Sequence, residues 1–166
     1  MAAEGKLDPY VGRESEIERC LSVSSRRTTS NSVPLGEQGV GKTAIAEAVA
    51  LRVHSGHVPL SLRTVKEFWS INVGNLVVGT KLRGEFEKRM IALIAEIGSR
   101  QNEIILFVDE LHMLVGAGRS KGGNIDAANM LNPKFARGEL RCIGATTPDE
   151  YANHIAGKVA AFERRW

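Results

Sequence analysis

The sequence predicts an α/β fold in which a parallel sheet is flanked by helices. Three observations carry that expectation. Short apolar runs alternate with longer stretches of helical periodicity, the pattern of βαβ units. A glycine-rich loop stands between one such run and a helix, and another run of five apolar residues ends in two adjacent carboxylates.

The elements follow in order. Residues 14–25 place Ile17 and Leu21 at helical spacing behind the acidic Glu14 and Glu16, which predicts a first helix. A polar stretch, 26–32, leads into a very short apolar segment, 33–35, and then the glycine-rich loop 36–41. Residues 42–54 predict a second helix with Ile45, Val49 and Val53 on one face. Residues 68–73 predict a strand. In 85–97, Phe86, Met90, Leu93, Ile94 and Ile97 form a single apolar stripe, the mark of an amphipathic helix. Residues 104–108 are too few for a helix and rich in branched side chains, so they predict a strand buried on both faces. A glycine-rich loop at 116–123 precedes a short helix at 126–131. Residues 141–146 predict another buried strand and 149–155 a last helix.

Composition narrows the function classes. With 166 residues the chain is long enough for one domain with a real core and too short for two. Apolar residues at 43% and charged residues at 25% exclude a disordered tail. The 22 basic residues face 19 acidic ones and are interspersed with them, so no basic stripe marks a nucleic-acid binder. Cys20 and Cys142 lie far apart without a CxxC partner, which predicts free thiols in a reducing compartment. His54 and His57 have no acidic or Cys neighbour to complete a metal site. The longest apolar run, 104–108, is far below membrane-spanning length, and the first ten residues hold no signal-peptide core. The expectation is a soluble, intracellular protein with neither nucleic acid nor membrane as partner.

Four groups of residues carry chemistry. Gly36-Glu-Gln-Gly-Val-Gly-Lys-Thr43 matches G-x-x-x-x-G-K-[ST] at every fixed position. In this loop the glycines allow successive N–H groups of residues such as Glu37, Gln38, Gly39, Val40 and Gly41 to turn inward around phosphate oxygens. The helix that follows adds the positive end of its dipole. Lys42 would reach the β- and γ-phosphates and Thr43 would hold Mg²⁺. A chance match in a chain of this length is on the order of one in a hundred, given the usual glycine frequency. An ordinary glycine-rich turn is the plainer alternative, and the flanking apolar segment and amphipathic helix disfavour it.

The second group is Ile104-Ile-Leu-Phe-Val-Asp-Glu110, a buried strand delivering acids to its carboxyl end. Asp109 would hold Mg²⁺, directly or through water, and Glu110 would deprotonate the attacking water. Alone this signal is weak; downstream of the complete loop it is strong. The third is the end of the 141–147 strand, where a hydroxyl could sense the γ-phosphate; Thr147 is the first candidate and Thr146 the second. The fourth is Glu163-Arg164-Arg165, whose arginines could complete a neighbouring subunit's site. Taken alone, the third and fourth groups are no more than a polar strand end and a solvated terminus.

In this order the pieces resemble the first AAA+ module of the Clp family of protein unfoldases and disaggregases, over nearly the whole chain. Gly5-Lys-Leu-Asp-Pro9 and Val11-Gly-Arg13 resemble the family's opening segment, which implies that Val11 and Gly12 lie near the adenine. Gly79-Thr-Lys-Leu-Arg-Gly-Glu-Phe-Glu87 resembles its first pore loop, which implies substrate contact by Lys81, Leu82 and Arg83. Ala161-Phe-Glu-Arg-Arg165 resembles its arginine-finger segment. The resemblance implies a P-loop NTPase fold, the AAA+ large subdomain, that uses ATP and Mg²⁺. It also implies like subunits in a ring, expected to be a hexamer, that pull unfolded or aggregated polypeptide through a central pore.

The chain also departs from the family pattern. Leu82 stands where the family has an aromatic ring, and offers less contact area and no flat face. Pro34 stands in the strand that feeds the loop, where proline is expected only at an edge or a bulge. Gln38 replaces a proline within the loop. In the family a fifth strand and a small helical subdomain follow, so residues 1–166 correspond to one incomplete module. If that fifth strand is missing, residues 33–35 become the sheet edge, where Pro34 is less costly. A second function class therefore stays open: a hydrolysis-poor nucleotide-binding or assembly module. A small P-loop kinase is disfavoured, because Glu110 suits activation of water and no Arg-rich lid is present.

Overall fold

Three parallel strands lie side by side in the order β1 (Glu67–Ile71), β2 (Ile104–Val108), β3 (Arg141–Gly144). A computed structural model describes Leu7 and residues 10–77, 83–117 and 126–166, with the backbone alone at Val77 and Arg83. Glu67 pairs with Ile104 and Ile71 with Val108, while Ile105 pairs with Arg141 and Val108 with Gly144. Parallel neighbours need crossovers, and helices supply them.

Side-chain alternation along the central strand divides the core in two. Leu106 and Val108 point to one face, where they join Val73, Phe86, Met90, Leu131, Phe135 and Cys142. Ile105 and Phe107 point to the other and meet Ile17, Leu21, Ile45, Val49 and Ile143. Helices α1 (Glu14–Ser24) and α2 (Lys42–His54) therefore cover one side. On the opposite side lie α3 (Val73–Val77), α4 (Arg83–Ser99), α5 (Ala127–Ala136) and α7 (Ala160–Glu163). All five residues of β2 are buried, as expected of a strand covered on both faces. Truncating Ile105 or Leu106 to alanine would cost about 2–5 kcal/mol by opening a cavity. Both cysteines are free and buried, and burial pushes their thiols above the usual range.

Several boundaries differ from the sequence expectation: the helix expected at 85–97 is the longer α4, Arg83–Ser99, and the strand expected at 141–146 ends at Gly144. The strand expected at 68–73 ends at Ile71, because Asn72 turns the chain by accepting the Asn75 N–H and Val73 opens α3. The helix expected at 126–131 runs to Ala136 with Pro133 inside it. Asp126 caps it by accepting the Asn129 N–H, and Gly138, at φ +66, ends it with a left-handed turn. The helix expected at 149–155 is α6 (Pro148–His154), capped by Thr147. The short α7 and two 3₁₀ turns, Leu60–Leu62 and Leu111–Leu114, were not anticipated.

The segment feeding the loop is a broken edge strand. Ser32 donates to Cys142 O and accepts from Gly144 N–H; Gly36 donates to Thr146 O, and Thr146 N–H donates to Pro34 O. Two isolated parallel bridges result, Ser32 with Ile143 and Leu35 with Thr146. The offset between partners is the same in both, so no bulge intervenes. Even-numbered residues thus face β3 and odd-numbered ones face outward. Pro34 is even-numbered, and its nitrogen sits where an N–H would donate to the Gly144 carbonyl. Among the described residues the segment is indeed at the sheet edge. The expectation that the edge relieves Pro34 is nevertheless wrong, because its missing donor lies on the inner, paired side.

Candidate functional site

Three loops converge where the strands end: 36–41 after the edge segment, Asp109 and Glu110 after β2, and Thr146 and Thr147 after β3. Parallel strands deliver all three to the same side of the sheet, the usual place for a ligand in such folds. Between them lies a cavity of about 550 Å³ lined by loop residues Gln38, Gly39 and Gly41, with Lys42, Thr43, Asp109, Glu110, Thr146 and Thr147. Two residues not singled out in the sequence, His112 and Glu150, also line it.

The loop owes its shape to Gly39 and Gly41, at φ +80 and +92, conformations that a side chain would strain. Gly41 also opens α2, whose first-turn N–H groups and dipole face the cavity mouth. Lys42 Nζ donates to Gly36 O at 2.7 Å and to Glu37 O at 2.8 Å, so its ammonium spans the loop from within. A phosphate would compete for that ammonium as a stronger, charged acceptor.

The loop is tied directly to β2. Thr43 Oγ1 donates to Asp109 Oδ2 at 3.2 Å, while Asp109 Oδ1 accepts the Glu110 N–H at 3.0 Å. Glu110 itself adopts a left-handed conformation, φ 52 and ψ 55, which is uncommon for a side-chain-bearing residue. Such strain concentrates at functional positions. The Glu110 side chain is exposed, and among the described residues no hydrogen bond or ion pair engages its carboxylate. Its oxygens are therefore available to a water molecule.

The oxygen donors present fit Mg²⁺. Thr43 and Asp109 offer a hydroxyl and a carboxylate within one hydrogen bond of each other, the hard ligands this ion takes. Among the described residues, no group of three or more His, Cys, Asp or Glu forms a cage for a metal ion.

Other candidates fall in different places. Thr146 is 2% exposed and its hydroxyl lies 2.9 Å from His112 Nδ1. Thr147 accepts the Glu150 N–H and so caps α6. Val11, 96% exposed, and Gly12 do not line the cavity; their neighbour Arg13 reaches the loop by donating from Nη2 to Val40 O. Arg164 is exposed and Arg165 half-buried, and neither enters this chain's own cavity. The Arg165 carbonyl accepts from Asn31 Nδ2, whose Oδ1 accepts the Cys142 N–H, so one side chain pins the end of the chain to β3. Lys81 and Leu82 lie outside the described residues, as does the side chain of Arg83.

Comparison with known proteins decides the family. The profile of the ATPase family associated with various cellular activities (AAA) matches residues 34–163. The chain belongs to the AAA ATPase family. Within it, the chain is 57% identical over 166 residues to the chaperone protein ClpB of Bdellovibrio bacteriovorus, covering all of this chain and 19% of that protein. It is 54% identical over 165 residues to ClpB of Rhizobium meliloti, covering 99% of this chain and again 19% of the relative. This AAA module therefore spans about a fifth of the length of these relatives. Among solved structures it resembles the Saccharomyces cerevisiae Hsp104–ADP complex, with TM-score 0.85 and 45% identity over 99% of this chain and 22% of that one. It also resembles a closed-state reconstruction of Hsp104 with ATPγS and FITC-casein, with TM-score 0.84 and 45% identity, covering 99% of this chain and 27% of the other. These likenesses agree with the Clp-type resemblance of its sequence.

Proposed function

We propose that the chain binds Mg²⁺-ATP in the cavity between the 36–43 loop and the ends of β2 and β3, and hydrolyses it as one ATPase module of a Clp-type chaperone. The observation that carries this reading is the Thr43–Asp109 hydrogen bond, which joins loop and acidic strand into one unit beside Lys42. The 36–41 backbone and Lys42 cradle the phosphates. Thr43 and Asp109 hold the cation, whose charge offsets that developing on the transferred phosphoryl group. Glu110, unengaged and at the cavity edge, orients water and takes its proton. Thr146 and Thr147 border the place of the terminal phosphate, and Val11 and Gly12 serve the adenine side.

Beyond this chain's own cavity, the reading extends to like subunits in a ring, a hexamer. The exposed Arg164 and its neighbour Arg165 would serve an adjacent subunit's nucleotide. Lys81, Leu82 and Arg83 would contact the polypeptide that the ring remodels, a substrate class in keeping with the casein of the Hsp104 reconstruction. No helix among the described residues is long and apolar enough to cross a membrane. The proposed setting is a soluble compartment of the cell.

One observation favours a second reading, a nucleotide-binding module that hydrolyses poorly. The break at Pro34 loosens the strand that holds the loop, and a loosely held loop positions phosphate less well. Calorimetric titration of the chain with Mg²⁺-ATP, with Lys42→Ala as control, tests the main reading. Binding that the substitution abolishes supports it. A folded chain that binds no nucleotide refutes it.

A further inference from the structure

His112 lies on the 3₁₀ turn Leu111–Leu114, on the cavity wall and three residues past Asp109. Its ring connects two parts of the site. Nδ1 is 2.9 Å from the buried Thr146 hydroxyl, and Nε2 is 3.8 Å from Glu150 Oε2. The same Glu150 oxygen is 3.0 Å from His154 Nε2, and the two imidazoles face each other with centroids 5.6 Å apart. A relay thus runs from His154 through Glu150 and His112 to Thr146, which borders the phosphate cavity; its Glu150–His112 step is an ion-pair approach and not a hydrogen bond.

Proton counting gives this relay two states. A neutral imidazole has a single N–H, and the carboxylate of Glu150 draws it to Nε2. Nδ1 is then an acceptor, and the one proton of the Thr146 hydroxyl is committed to it. A doubly protonated ring donates at both nitrogens. Thr146 Oγ1 then accepts from Nδ1–H, and its own proton is free to donate into the cavity. Resting on the nucleotide reading above, we propose that His112 is a positioning residue: its protonation turns the Thr146 hydroxyl into a donor for the terminal phosphate of a bound nucleoside triphosphate. Thr147 accepts the Glu150 N–H, which leaves its hydroxyl proton free whatever the state of His112, so only Thr146 can be switched by the ring.

The charged surroundings set the balance. From α6 the ring meets Glu150 and His154. Across the cavity stand Asp109 and Glu110 from the end of β2 and Lys42 from the loop. Helix α3, also packed against this turn, carries no titratable side chain. A γ-phosphate adds negative charge on the Thr146 side, which favours the doubly protonated ring. A diphosphate places no such charge there. The relay therefore distinguishes triphosphate from diphosphate.

The test compares Mg²⁺-ATPγS with Mg²⁺-ADP across about pH 6 to about pH 8.5, a range that spans ordinary histidine titration. Wild-type chain is expected to prefer ATPγS, with the preference falling about tenfold across that range, the size of one hydrogen bond to a charged group. His112→Asn puts an amide donor near the Nδ1 position and should keep the preference but flatten its pH dependence. That comparison also removes the titration of the nucleotide itself. Thr146→Val should lose the preference at every pH. Long-range ¹H–¹⁵N spectra of the imidazoles should show His112 doubly protonated with ATPγS and singly protonated with ADP. Identical pH dependence in wild type and His112→Asn, or one unchanging His112 state with both nucleotides, overturns the proposal. Failure of folded wild type to bind either nucleotide is a different result and refutes the nucleotide reading on which the proposal rests.

Discussion

Pro34 stands opposite the Gly144 carbonyl at the one place in the edge ladder where a donor belongs, between the bonds made by Ser32 and Gly36. The segment remains paired above and below that point, so the break costs a bond without changing the register. Pro34→Val restores the donor. The gain of a hydrogen bond to a buried carbonyl, about 1–2 kcal/mol, exceeds the roughly 0.4–1 kcal/mol lost when the unfolded chain regains freedom. The variant should be more stable by about 0.5–1 kcal/mol, seen as a higher urea midpoint at unchanged slope. A lower midpoint would mean that the ladder does not admit an N–H there.

Gly144 matters on its other side too. A Cβ added there would lie 2.8 Å from both Cδ atoms of Leu111, a fully buried residue at the start of the turn that carries His112 and directly after Glu110. Leu111 N–H also donates to the Ala145 carbonyl, which locks the turn onto β3. Gly144→Ala should therefore cost about 1–3 kcal/mol by overpacking, and displace Glu110 with the turn. Thermal unfolding measures the first effect and the rate of ATP hydrolysis the second. Unchanged stability would show that Leu111 has room to move aside.

The reading of Glu110 as the base predicts a clean separation of binding from turnover. Glu110→Gln keeps the size and removes the charge, and among the described residues no hydrogen bond or ion pair to the wild-type carboxylate would be broken by the change. Nucleotide affinity should stay within about threefold of wild type, while hydrolysis falls by about 10²–10⁴. Steady-state phosphate release together with calorimetry checks both numbers. Equal loss of affinity and turnover would instead assign Glu110 to phosphate or cation binding.

How far the sequence revealed this arrangement depended on how local each signal was. The strand 104–108 was legible to the residue, since five buried branched or aromatic side chains ending in Asp-Glu leave little choice. The loop 36–43 was legible because its glycines and Lys42 have fixed spacing. The continuation of α5 through Pro133 was not, since proline usually marks a stop and only tertiary packing overrides it. The direction in which Pro34 faces was also hidden: it depends on whether even or odd residues pair with β3. His112 and Glu150 escaped notice for a similar reason. They are 38 residues apart and meet only because the 3₁₀ turn after β2 packs under α6.

Acid should weaken the fold through a few half-buried carboxylates. Arg137 first, then Lys134, hold the Glu139 carboxyl at about 2, below its ordinary value of 4.5; Ser15 and Arg13 do the same for Glu16, also about 2. Arg100, with Trp69 Nε1–H, lowers Glu67 as well. A carboxyl whose value is lower in the folded chain than in the unfolded one adds stability above the unfolded value. That contribution disappears as pH falls through the folded value. The window is therefore between 4.5 and about 2 for Glu139 and Glu16. Glu139 also closes the turn between α5 and β3, where its N–H donates to Lys134 O, so its protonation loosens the lead-in to Thr146. The urea midpoint should be flat from about pH 7 to about pH 5 and fall below that. Glu139→Gln should start lower and fall less steeply. An equally steep fall in the variant would remove Glu139 from the acid response and leave Glu16 and Glu67 to account for it.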